Sequence, residues 1–251
     1  MDKRIGAQLF TLRKFCETAE ALDSSFAKLQ KIGYKTIQVS GIGPIPAKVV
    51  KETADKYGLE IVCTHRSFDD FKDNIETVIE DHKTMDCSIA GLGCMPPAYK
   101  DNLGEFVSIM NTAAKKLKEA GIQFAYHNHA FEFEKRDGKY IMDYLVENTN
   151  PDEFKFIVDT YWLAVGGQNP AEYIKKLGDR VVAVHFKDLA MDHNTAIMAE
   201  VMEGNLAWDE IFAACEECGA EYALVEQDVC QRDPFESMEI SYNNLVKKGF
   251  C

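Results

Sequence analysis

The sequence predicts an α/β fold, a single closed (β/α)8 barrel spanning residues 1–251, from three observations. Eight short β-rich runs recur along the chain, each followed by a longer segment with helical periodicity. Their starts lie about 31 residues apart on average, the length of a strand, a crossover helix and two loops. Between them there is no Pro/Ser-rich linker, low-complexity tract or shift of composition to mark a second domain. Eight alternating units in one domain favour closure over an open doubly wound sheet, which more often has about five to seven strands. No Gly-x-Gly-x-x-Gly follows the first strand, which removes the main support for a dinucleotide-binding sheet.

The elements follow in order. The first strand, Ile5–Phe10, carries Gln8 and is followed by the helical stretch Asp23–Lys31, closed by Gly33. The second, Thr36–Ser40, sets Ile37 and Val39 against Thr36, Gln38 and Ser40. After Gly58 comes Glu60–His65, with Ile61, Cys63 and His65 on one parity. The fourth, Ser88–Leu92, runs into Met95-Pro96-Pro97, which ends the strand or stiffens a loop at the barrel mouth. The helical stretch Ala113–Ala120 ends at Gly121 and leads into Gln123–His127, where Phe124 and Tyr126 oppose Gln123, Ala125, His127 and, further on, His129. Lys155–Asp159 sets Phe156 and Val158 against Lys155, Ile157 and Asp159. Gly178 precedes Val181–Lys187, where Ala183, His185 and Lys187 share a parity, and Gly219 precedes Tyr222–Glu226, where Leu224, Glu226 and Asp228 do. Each of these five glycines ends a helical stretch as a left-handed C-cap would.

Composition bounds the function. With 46% hydrophobic and 27% charged residues the chain is a soluble globular type able to bury a sizeable core. The 28 basic and 41 acidic side chains give a formal net charge of −13, which repels a phosphate backbone, so no nucleic-acid partner is expected. No apolar run approaches the ~20 residues of a membrane span, and no signal-length segment opens the chain, so the expectation is a cytoplasmic protein without a membrane partner. The eight cysteines are scattered through a chain too long to need a disulfide framework, and reduced thiols are expected. Cys215-x-x-Cys218 falls in a helical pattern with no second pair, so it reads as incidental. Oligomeric state is not legible, and a homo-oligomer is the default for a soluble enzyme.

Side chains alternate along a strand, so one parity faces the helices and the other the barrel interior. The polar parity becomes polar toward the strands' C-terminal ends, where such barrels build their sites. His65, His127, His129, Asp159, His185, Lys187 and Glu226 thus converge on one mouth, and burying so many ionisable groups without a function would be costly. Carboxylates mixed with imidazoles suit one divalent metal ion, Mn, Zn, Co, Fe or Mg, and Asp159, His185 and Glu226 supply ligands from three successive strands. The fourth is expected at or just past the fifth strand, where Glu132 is preferred over Glu134. Carboxylates at a metal, with Lys187 and histidines beside them, suit removal of a proton next to a carbonyl. His127, His129, Glu132, Glu226 and Lys187 are the candidates for that chemistry. Gln8, His65, Trp162 and Lys187 are the candidates for substrate contact, with Arg13 and Arg66 as further possibilities.

Four runs in order, Tyr126-His127-Asn128-His129-Ala130-Phe131-Glu132-Phe133, Val158-Asp159-Thr160-Tyr161-Trp162, Val184-His185-Phe186-Lys187-Asp188 and Val225-Glu226-Gln227-Asp228, resemble the successive strand-end motifs of the xylose isomerase-like (β/α)8 superfamily, and more closely its sugar phosphate isomerase/epimerase branch. Glu203-Gly204-Asn205-Leu206-Ala207-Trp208 resembles that family's segment between the seventh and eighth strands. The resemblance implies a divalent metal held by Glu, Asp, His and Glu from the last four strands, and a small sugar, keto-sugar or polyol derivative as substrate. Asp159, His185 and Glu226 match by position. His127 stands where the epimerases have a glutamate, leaving either Glu132 or His127 itself as the fifth-strand ligand, and Gln38 stands where many relatives carry glutamate. The activity implied is isomerisation or epimerisation through an enediolate. Two alternatives stay open: a lyase or dehydratase of keto-inositol or 3-keto-glycoside type, and a sugar-binding barrel that does not catalyse. Abasic-site endonucleases share the superfamily, but the acidic charge speaks against that activity.

Overall fold

The computed structural model describes residues 2–251. In chain order it comprises β1 (Ile5–Gln8), α1 (Ala19–Ile32), β2 (Thr36–Val39), α2 (Ala47–Lys56), β3 (Glu60–Arg66), α3 (Phe68–Asp73), α4 (Ile75–Met85), β4 (Ile89–Leu92), α5 (Leu103–Glu119) and β5 (Gln123–His127). A short hairpin, β6 (Lys135–Arg136) with β7 (Lys139–Tyr140), leads to α6 (Ile141–Asn148), β8 (Phe154–Asp159), α7 (Thr160–Val165), α8 (Pro170–Leu177) and β9 (Val181–Phe186). A second hairpin, β10 (Asp188–Asp192) with β11 (Thr195–Ala199), precedes α9 (Trp208–Cys218), β12 (Tyr222–Val225) and α10 (Pro234–Val246).

Among the described residues, eight parallel strands close into a barrel in the order β1, β2, β3, β4, β5, β8, β9, β12 and back to β1. Each expected strand is present, with ends displaced by no more than two residues. The two hairpins are insertions that the strand rhythm does not reveal, because both lie inside connections of ordinary length. The register aligns the polar ends: Gln8 stands beside Gln38, and Asp159 beside His185. No helix among the described residues is long and apolar enough to cross a membrane, and the eight cysteines are free thiols.

The helices form for local reasons that also orient them. In α1, Thr18 accepts a hydrogen bond from the backbone of Ala21, and Leu22, Phe26 and Leu29 lie on one buried stripe. The helix ends at Gly33, whose φ of +127° and contact with the Tyr242 ring leave no room for a side chain. The helix-facing strand residues, among them Ile37, Phe124, Tyr126, Phe154, Phe156, Val184 and Phe186, join this stripe in one continuous core. Inside the barrel a smaller cluster of Cys63, Ile89, Ala125, Ile157, Ala183 and Leu224 plugs the lower part. The next interior position is Gly91 after Ile89, and on the other five strands it is His65, His127, Asp159, His185 or Glu226. The predicted parity therefore holds at the mouth, where the apolar plug is the floor on which the polar side chains stand, but a register shift at β3 and another at β9 break it lower down, putting Ile61 in the helix-facing core and Val182 in the interior cluster.

Candidate metal centre

Four side chains at the C-terminal ends of neighbouring strands come together: His127 from β5, Asp159 from β8, His185 from β9 and Glu226 just past β12. One ligand atom of each lies within 4.8 Å of the others, and all four residues are buried. The group could hold a metal ion.

The hydrogen bonds around the two imidazoles decide which nitrogens face inward. His127 Nδ1 lies 3.1 Å from the carbonyl oxygen of Gly93, which can only accept, so Nδ1 carries the proton of the neutral ring. Its Nε2 then presents a lone pair 3.4 Å from Asp159 Oδ2. His185 Nε2 lies 2.8 Å from Gln38 Oε1, which assigns the proton to Nε2. Nδ1 of His185 is left 2.9 Å from Glu226 Oε2 and has no hydrogen-bond partner. Two imidazole lone pairs aimed at two carboxylates, each ring fixed from behind by an acceptor, form the donor set that a divalent cation satisfies.

The other carboxylate oxygens are tied down. Asp159 Oδ1 accepts from the backbone of Trp162 at 2.9 Å, capping α7, and the Asp159 backbone donates to Asn128 Oδ1 at 3.0 Å. Glu226 Oε1 accepts from Gln8 Nε2 at 2.7 Å, and Gln8 Oε1 accepts from the Phe10 backbone at 2.8 Å. Lys187, fully buried, places Nζ 2.8 Å from Asp159 Oδ2, 2.7 Å from Glu226 Oε2 and 2.5 Å from Asp228 Oδ2. Its backbone is held by the Thr160 hydroxyl, which accepts from Lys187 N at 3.1 Å and lies 2.7 Å from Lys187 O.

These contacts set the charge states. Burial works against ionisation of Asp159 and Glu226, but Lys187 with the neighbouring imidazoles outweighs it and holds both carboxyls below their ordinary range. Burial opposes protonation of Lys187 too, yet the three carboxylates raise its pKa. For His127 burial is again the largest influence and a lowering one, overcome by Asp159 and Glu226, so the ring's pKa is raised. His185 and His65 are pushed down by burial, and His129 falls to about 3 for the same reason.

Glu132 is not brought into the group. It sits in a single helical turn, Phe131–Phe133, that turns its carboxylate toward the helix layer. There Oε1 accepts from the Tyr126 hydroxyl at 2.5 Å and Oε2 from the His129 backbone at 2.8 Å. Fully buried, with no cation beside it, its carboxyl is pushed up to about 7 by desolvation. The expectation that Glu132 is the preferred fourth ligand is thereby corrected in favour of His127. Glu132 instead fixes the loop that carries His129.

A cavity of about 550 Å³ opens above the group, lined by the polar His65, His127, His129, Glu226 and Asp228 and by the apolar or aromatic Phe10, Phe68, Pro96 and Tyr99. Of the expected substrate contacts, His65 and Arg66 reach this wall. Gln8 is turned away behind Glu226, and Lys187 lies beneath the carboxylates. Trp162 packs beside His129, ring centres 5.4 Å apart. His65 Nε2, His129 Nδ1 and Trp162 Nε1 are buried without hydrogen-bond partners, an arrangement that a polar ligand relieves. Arg13 is spent on the carbonyls of Phe10 and Asp228 and on the Phe10 ring, and Arg66 on Asp81.

Three residues carry parts that the sequence reading did not assign. Asp228 is the third partner of Lys187, and its parity with Glu226 was the available signal. Gln38 orients His185, and its register beside Gln8 follows from strand order. Asp188 accepts from the backbones of Leu189, Met202, Gly204 and Leu206 and from the Trp208 indole at 2.6–3.2 Å, tying down the segment between β11 and α9. Its place directly after Lys187 was the only hint.

Comparison with known proteins agrees with this fold. The family model described as xylose isomerase-like TIM barrel matches residues 26–230. A solved structure described as a sugar phosphate isomerase/epimerase from Parabacteroides distasonis superposes with a TM-score of 0.84 at 25% identity, covering 100% of this chain and 96% of that one. Inosose dehydratase from Lacticaseibacillus casei is 26% identical over 140 residues, 48% of this chain and 46% of its own length. Inosose dehydratase from Mesomycoplasma hyopneumoniae (strain 7448) is 24% identical over 208 residues, 72% of this chain and 66% of its own. The matched stretch thus spans about half to two thirds of these relatives.

Proposed function

The chain belongs to the xylose isomerase-like TIM barrel family, and on that premise we propose that it is a metal-dependent enzyme that moves a proton on the carbon next to a carbonyl of a sugar, keto-sugar or polyol derivative, giving isomerisation or epimerisation. The observation that carries this reading is the set of two inward lone pairs, on His127 Nε2 and His185 Nδ1, facing Asp159 Oδ2 and Glu226 Oε2. His127, Asp159, His185 and Glu226 would hold one divalent ion, which when bound supplies Lewis-acid stabilisation of the oxyanion that develops as the proton leaves.

The chain's own residues do the rest. Glu226, steered by Gln8, stands at the cavity wall as the carboxylate that accepts the proton from carbon. His129 is kept neutral by burial and has an unpartnered Nδ1, so it offers a hydrogen bond to a substrate oxygen. His65 contributes a second neutral imidazole as a hydrogen-bond partner for substrate hydroxyls. Lys187 steadies the carboxylates and the negative charge that builds beside them, Trp162 backs His129, and Glu132 acts by positioning the His129 backbone.

A second reading has its own support. With an imidazole on β5, the group has one carboxylate at the cavity wall where an epimerase has two, and such asymmetry suits elimination of a hydroxyl or a glycosyl group after the first proton transfer. The inosose dehydratase relatives are consistent with it. Incubation with keto-sugars and keto-inositols in D2O separates the two. An isomerase incorporates deuterium next to the carbonyl and returns a sugar isomer, whereas a lyase releases an enone or a free leaving group. Full metal content and turnover in both Asp159→Ala and Glu226→Gln would contradict both readings.

A further inference from the structure

We propose that Lys187 is a built-in counter-cation that competes with the divalent ion for the two inward carboxylate oxygens, and that Asp228 is the anchor to which it withdraws when the ion binds. The inference rests on the metal reading above and concerns what sets the affinity of that site.

The oxygens in question are the same atoms. Asp159 Oδ2 faces His127 Nε2 and Glu226 Oε2 faces His185 Nδ1, and Lys187 Nζ sits 2.8 and 2.7 Å from these two oxygens. Neither carboxylate can offer its other oxygen instead, since Asp159 Oδ1 is held by the Trp162 backbone and Glu226 Oε1 by Gln8. An ion drawing on both inward oxygens must therefore displace the ammonium from them. A buried ammonium stripped of its partners is costly, so displacement needs a destination. Asp228 Oδ2, 2.5 Å from Nζ and at the cavity wall, provides it.

The charges balance on the same terms. Asp159, Glu226 and Asp228 against Lys187 leave two negative charges, with the histidines neutral. One divalent ion then brings the group to neutrality, and removing either Lys187 or Asp228 alone leaves it one charge away. Without an ion, Lys187 keeps the carboxylates from repelling one another, so the barrel folds before the ion is bound, and the ion's affinity is reduced by the contacts Lys187 must give up.

The test is Mn²⁺ binding to the chelator-treated full chain by titration calorimetry, with thermal unfolding in the presence and absence of Mn²⁺, for wild type, Lys187→Met, Lys187→Arg and Asp228→Asn. Lys187→Met should bind Mn²⁺ about tenfold more tightly or better, and Mn²⁺ should raise its melting temperature more than it raises that of wild type. Asp228→Asn should bind about tenfold more weakly, because the ammonium has lost its destination. Lys187→Arg should stay near wild type. A purely structural lysine predicts the opposite for Lys187→Met, weaker binding through a damaged site. Unchanged or weaker binding by folded Lys187→Met overturns the proposal. If that variant does not fold, Asp228→Asn decides, and an unchanged affinity there overturns it. Absence of Mn²⁺ binding in wild type and Lys187→Met alike would instead overturn the metal reading itself.

Discussion

Replacing Glu132 by Gln should make the fold less sensitive to alkaline pH while leaving the metal in place. In the folded chain the Glu132 carboxyl is pushed up by burial from 4.5 to about 7. In the unfolded chain it returns to its ordinary value. Between those values the unfolded state has released a proton that the folded state keeps, so stability falls as pH rises, the reverse of an ion-paired carboxylate. Of the shift, about 1.5 units lie between roughly pH 5.5 and 7, and at about 1.36 kcal/mol per unit this is about 2 kcal/mol. The loss is complete above the folded pKa. Glutamine carries no such proton. It forfeits the acceptor for the His129 backbone, about 1 kcal/mol at any pH, so urea melts of Glu132→Gln and wild type should converge or cross between about pH 5.5 and 8.5. The variant should gain about 2 kcal/mol on wild type over that interval. A pH-independent difference would refute the assigned environment of Glu132. Loss of bound metal in the variant would refute its exclusion from the ligand set.

Asp188→Ala should destabilise the chain by about 3–5 kcal/mol in urea melts, because the donors of Leu189, Met202, Gly204, Leu206 and Trp208 lose a buried acceptor together; a loss below about 1 kcal/mol would contradict the role given to it. Gln38→Leu removes the acceptor that fixes the His185 ring and should weaken Mn²⁺ binding by roughly 10- to 100-fold with little loss of fold. Unaltered affinity by calorimetry would mean that His185 is oriented by something else.

Much of the architecture was legible because it is periodic. Alternation along residues 183–186 separates Val184 and Phe186, packed on helices, from Ala183 and His185 inside the barrel, and the same rule places His127, Asp159 and Glu226. The errors arise where the chain stops being periodic. Past His127 the backbone enters a loop and a single helical turn, so counting two by two no longer says where Glu132 points, and it ends on Tyr126, a helix-facing residue. Gln8, expected as a substrate contact, instead hydrogen-bonds Glu226 from behind. Whether an interior side chain reaches the cavity or backs another residue depends on its height in the barrel, which register sets and single-strand patterns do not show. The acceptor work of Asp188 depends on a loop folded back across 14 to 20 residues, a relation without any local signature.

The most direct test of the account is an anomalous-scattering map of crystals soaked in Mn²⁺. The account predicts one peak per chain, bounded by His127 Nε2, Asp159 Oδ2, His185 Nδ1 and Glu226 Oε2, with Lys187 Nζ drawn to Asp228. No peak among these atoms, or a peak bounded by Glu132, would contradict it.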